Sequence, residues 1–83
     1  MTNVYRLMRY VFDNRNKVTS VTIVDSILLY SIAIGLESGG YQNFVFTREE
    51  HTRNQFLLTG IIEIALRRIE LYGDMQKLEK SFE

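Results

Sequence analysis

Eleven consecutive residues after Asp25, SILLYSIAIGL at positions 26–36, carry no charge, and any fold this chain adopts must cover them. As a helix they would span only about half of the ~30 Å hydrocarbon core of a bilayer, so no membrane span is expected. An ordinary surface helix is apolar along one stripe. Here Leu28, Leu29, Ile32 and Leu36 form a broad stripe, while Ile27 and Ile34 project from nearly the opposite side, with Ser31, Ala33 and Gly35 between. Read as a helix, the segment is covered on two sides, and its small residues let neighbouring helices approach closely.

Its boundaries support that reading. Thr22-Ile-Val-Asp25 has the spacing of a capping box, in which the hydroxyl oxygen accepts from a free first-turn N–H and the acid reaches back to the N–H of the cap. Asp25 would then sit at the positive end of the helix dipole instead of interrupting an apolar stripe. The spacing predicts a second helix over 23–38, ended at Gly39-Gly40 by a glycine in the left-handed conformation. A rival reading makes VTSVTIV, 18–24, a short strand, because six of its seven residues are β-branched. YQNFVF, 41–46, is either an extended connection or a second short strand.

Two further helices complete the expectation. In TNVYRLMRYVFDN the apolar residues Val4, Leu7, Met8, Val11 and Phe12 share one side, which predicts a first helix over 3–14 with Arg9 and Asp13 spaced as an i,i+4 ion pair. Thr47-Arg-Glu-Glu50 repeats the capping-box spacing and predicts a third helix over 48–72. That helix carries two apolar seams. Leu58, Ile62, Ala65, Ile69 and Tyr72 are spaced 4, 3, 4, 3; Leu57, Ile61, Ile64, Arg68, Leu71, Met75, Leu78 and Phe82 alternate 4 and 3 as well.

The fold expected from these elements is all-α: a small three-helix bundle forming a single helical domain over 1–83, completed by homodimerisation. A chain of 83 residues buries only about two-thirds of its unfolded surface, so small folds lean on disulfides, metals or oligomers. With no Cys and one His, disulfides are excluded and structural zinc is not expected. Two seams on one helix require two partners, and a three-helix chain offers few. Leu57, Ile61, Ile64 and Arg68 are accordingly the expected self-association residues. Beyond Gly73, residues 73–83 read as a C-terminal helical tail able to move independently, with Leu71, Met75, Leu78 and Phe82 as anchors for a partner groove.

Signals of catalysis are sparse. His51 stands alone in a first turn, no Ser lies in a Gly-x-Ser-x-Gly turn, and Gly39-Gly40 lacks the Lys-Ser/Thr of a phosphate loop. No enzyme activity, metal or cofactor is expected. Ten basic and ten acidic residues cancel, but residues 1–17 hold Arg6, Arg9, Arg15 and Lys17 against only Asp13. Tyr5, Tyr10 and several Asn are interleaved with them, and such groups suit phosphate and base contacts. The function expected is therefore a small non-enzymatic regulatory, adaptor or inhibitor protein, self-associating and docking an unidentified protein partner. The alternative is a dimeric DNA-binding regulator using the basic N-terminal region. Met1 leads into a charged amphipathic stretch with no leader-like pattern, so a cytoplasmic location is expected.

Overall fold

The computed structural model describes residues 2–81, with side chains through Glu70. Its elements are α1 (Asn3–Asp13), β1 (Val18–Asp25), β2 (Leu29–Leu36), β3 (Tyr41–Thr47), α2 (Arg48–Arg53) and α3 (Gln55–Ser81). The strands form an antiparallel meander in the order β1-β2-β3. The protein is a mixed α/β domain and not the expected all-α bundle.

The correction centres on SILLYSIAIGL, which is the central strand and not a helix. Tyr30, Ile32 and Ile34 point to one face and are buried, whereas Leu29, Ser31, Ala33 and Gly35 alternate with them toward the other. Across the ladders, Ile32 faces Ile23 and Phe44, and Tyr30 faces Asp25 and Phe46. The residues that looked like helix-contact spacers are thus the outer face of a sheet. VTSVTIV is the strand of the rival reading, consistent with its β-branched run. Thr22-x-x-Asp25 caps nothing: Asp25 ends β1 and pairs with Arg48 at the start of α2. Gly39 does take a left-handed conformation, φ 88°, but in the β2–β3 turn, where Leu36 N–H donates to the Gly40 carbonyl at 2.8 Å.

One close approach fixes the β1–β2 pairing. Thr19 is the extra residue of a bulge, since Val18 faces Leu36 and Ser20 faces Gly35. A Cβ at Gly35 would collide with the Ser20 hydroxyl, so the sheet admits only glycine there without moving Ser20.

Helices cover one face of this sheet. Val4, Leu7 and Val11 of α1, and Leu58, Ile61 and Ala65 of α3, join Val18, Tyr30, Ile32, Ile34, Phe44 and Phe46 in a single core. The helix α1 matches its expected span, capped by Thr2, whose hydroxyl accepts from Tyr5 N–H at 3.3 Å. The Thr47–Glu50 capping box forms with both of its bonds. The helix it begins is α2 alone, however, because the chain breaks at Asn54, whose side chain donates back to the Glu50 carbonyl at 2.9 Å. The helix α3 then runs continuously from Gln55 to Ser81, through Gly73.

One seam of α3 is covered within the chain, and the other only in part, since Leu57 is left exposed. Leu58 and Ala65, with Ile62 and Ile69 beside them, face the core under the sheet, and Ile61 and Ile64 lie toward α1. The sheet, unseen as such in the sequence, takes the seam of Leu58 and Ala65.

Candidate functional site

Three surfaces collect the groups that could contact another molecule. The first is a cleft of about 340 Å³ between α1 and β3, lined by Tyr5, Arg6, Arg9, Tyr10, Asp13, Asn14, Gln42 and Phe44. Helical spacing brings Arg6, Arg9, Tyr10 and Asp13 to the same flank of α1. The alternation of β3 sends Gln42 and Phe44 toward them, and the Tyr10 and Phe44 rings pack with centroids 5.7 Å apart. Arg9 donates to the Tyr5 hydroxyl at 3.4 Å and pairs with Asp13 at 3.5 Å. The bond to Tyr5, and then the Asp13 charge, raise the guanidinium pKa above its ordinary value, so Arg9 is a fixed cation.

The cleft divides the basic N-terminal set. Arg6 and Arg9 line it, while Arg15 donates to the Phe12 carbonyl at 2.8 Å and neither Arg15 nor Lys17 belongs to it. The four basic residues therefore do not form one contiguous cleft surface. Gln42 and Phe44 were missed in the sequence because only a strand reading of 41–47 brings them opposite α1.

The second surface is an apolar groove of about 320 Å³ between α1 and α3. Met8, Phe12, Phe56, Leu57, Gly60, Ile61 and Ile64 line it. Phe56 is 95% exposed on its rim. Of the expected self-association residues, Leu57, Ile61 and Ile64 meet here; Ile61 is also part of the core. Arg68 is elsewhere, donating to the Asn16 carbonyl at 2.9 Å and to Glu37 at 2.5 Å. The side chains of Leu71, Met75 and Leu78, and all of Phe82, lie outside the described residues.

The third is the β1–β2 hairpin tip, where Ile27 is 91% and Leu28 79% exposed. Ser26 closes the turn, accepting from Leu29 N–H and donating to the Leu29 carbonyl. Two-residue hairpin turns favour Asn, Asp and Gly, and an aliphatic pair projecting from such a place has no part in closing it.

His51 is a packing residue in this structure. Its ring stacks on Tyr30 with centroids 3.9 Å apart. Burial, and then the charge of Asp25 across the ladder, hold the Tyr30 phenol above its ordinary pKa. Among the described residues no group of three or more His, Cys, Asp or Glu is placed to hold a metal, and no helix is long and apolar enough to cross a membrane. No known protein family, curated protein or solved structure matches this chain.

Proposed function

We propose that the chain works by association and not by chemistry of its own: a small regulatory or adaptor protein that pairs with a second copy of itself through the groove between α1 and α3. The observation that carries this reading is the exposed Phe56 on the rim of an apolar groove. An aromatic ring left in water beside apolar walls is a surface that gains by being covered. Gly60 opens the floor of the groove, with nothing within 4 Å of where its Cβ would be, so another helix can lie close.

A second copy is favoured over an unlike helix by the length of α3. Its 27 residues span about 40 Å, against about 16 Å for the 11 residues of α1. Along that length Leu57, Ile64, Leu71 and Leu78 recur every seven residues in the sequence, the period of a helix–helix seam. The α1 helix is too short to match the whole stripe; the same helix of another copy matches it end to end, in a closed two-fold contact.

Size exclusion with light scattering tests this. The wild-type chain should be a dimer at micromolar concentration, and Phe56→Glu should convert it to a monomer with an unchanged far-ultraviolet spectrum. Replacing Ile27 and Leu28 by Ser, at the other exposed apolar surface, should leave the dimer intact. A wild-type chain that stays monomeric at millimolar concentration would overturn the proposal.

A further inference from the structure

The cleft between α1 and β3 has a chemistry that self-association does not use. Its lining carries the Tyr5 and Tyr10 rings, with Tyr10 packed on the buried Phe44 beneath. Its charge is one net positive, two guanidinium groups less the Asp13 carboxylate. Two of its polar groups are unused. Among the described residues, neither the Arg6 guanidinium nor the half-buried Gln42 side-chain amide has a hydrogen-bond or ion-pair partner.

We propose that this cleft binds a nucleotide, with the base against the tyrosine rings, the phosphate on Arg6, and the base edge on the Gln42 amide. Each part answers a feature of the cleft. Tyrosine rings suit a flat π-face, and stacking on them is tolerant of which base is present. A free guanidinium fork matches phosphate oxygens in a paired geometry. A carboxamide offers one donor and one acceptor side by side, the combination that reads the edge of a base such as adenine. The volume of about 340 Å³ lies at the lower end of small-ligand sites and suits one nucleotide unit, not a duplex. Asp13 sets a limit on charge: it already pairs with Arg9 at 3.5 Å, so the cleft suits a single phosphate group better than a triphosphate.

The same chemistry is presented by a free nucleotide and by one unit of a single strand. The test is an amide-shift titration of the isotopically labelled full chain with AMP, with a short oligo(dA) strand and with N-acetyl-Asp-Phe, which carries an acid and an aromatic ring but no base. Binding should shift the amides of Arg6, Tyr10 and Gln42 together. Arg6→Ala and Gln42→Ala should each weaken it, Arg6→Ala by about tenfold or more, as expected for loss of a charge-assisted bond. Arg15→Ala, outside the cleft, should leave it unchanged, and the dispersed spectrum of each variant reports that it is folded. Equal affinity for AMP and for the strand identifies a free nucleotide; a strand bound tenfold tighter identifies single-stranded nucleic acid. The proposal is overturned if neither AMP nor the strand binds at millimolar concentration, if both cleft variants bind like wild type, or if the dipeptide binds as well as AMP.

Discussion

Arg68 interrupts an otherwise apolar seam, and two of its contacts set the scale of what removing it costs. Its Nε donates to the Asn16 carbonyl at 2.9 Å and its Nη2 to Glu37 at 2.5 Å. One side chain of α3 thereby ties the α1–β1 connection to the end of β2. Hydrogen bonds from charged donors contribute ~1.5–3 kcal/mol each. The Asn16 carbonyl sits on an exposed turn and recovers water when Arg68 is lost, which puts that bond near the low end. The Arg68 side chain is 20% exposed but that of Glu37 is 45% exposed, so screening reduces the ion pair to about 0.5 kcal/mol. Arg68→Ala should therefore cost about 2 kcal/mol, a fall in Tm of about 8–16 °C for a domain of this size. Glu37→Gln should cost only about 0.5 kcal/mol, and its effect should vanish in about 1 M salt. Arg68→Lys should fall between, because a single ammonium does not reproduce the fork that reaches both acceptors. Thermal denaturation by circular dichroism measures all three. An Arg68→Ala protein melting with wild type, or losing no more than Glu37→Gln, refutes the reasoning.

Two further outcomes concern α2 and the residues it meets. Thr47→Ala removes one half of a capping box whose other half is Thr47 N–H donating to Glu50 at 3.3 Å; denaturant titration should show a loss of about 1 kcal/mol, and Thr47→Ser should restore most of it. Tyr30 ionises later in the folded chain than in the unfolded one, since burial and then Asp25 raise its pKa, with His51 stacked on its ring and Arg48 paired to Asp25. A raised folded pKa means the stabilisation is complete below the unfolded value of about 10 and is lost as pH climbs through the folded one. Stability followed across that alkaline range should fall less steeply in Tyr30→Phe; an identical slope would show that Tyr30 carries none of the dependence.

What could be read from the residues alone was set by how many periodicities each segment satisfies. The α1 stretch has apolar residues at helical spacing only, and it is the helix expected. Thr47–Glu50 forms its box because both of its bonds are local, lying within four residues. SILLYSIAIGL satisfies two periods at once: Leu28, Leu29, Ile32 and Leu36 fit a helix, and Tyr30, Ile32 and Ile34 fit a strand. A short uncharged run is where periodicity discriminates least. The coincidental Thr22-x-x-Asp25 spacing favours the helix, whereas β-branching at 18–24 favours the strand that forms. The cleft was half visible, because α1 placed Arg6, Arg9, Tyr5 and Tyr10 together. Its other wall depended on which residues of β3 face inward, and that follows from register with β2, a long-range property that no local pattern in 41–47 carries.

The order of elements has a consequence for how the chain is made. All three strands are synthesised before α3, yet α3 supplies half of the helical layer that shields them. At ~5–20 residues per second, the interval between Thr47 and Ala65 leaving the ribosome is about 1–4 s. During that interval the meander can pair strand to strand while Ile32, Ile34, Phe44 and Phe46 have only α1 to cover them. A nascent chain stalled before Ala65 would display an apolar sheet face bordered by open strand edges, the state most prone to join a neighbouring nascent chain. The last helix thus acts as a closing shutter, and translational pauses that fall while residues 48–65 are emerging from the ribosome should lower the yield of native protein more than pauses of equal length before Val18 emerges.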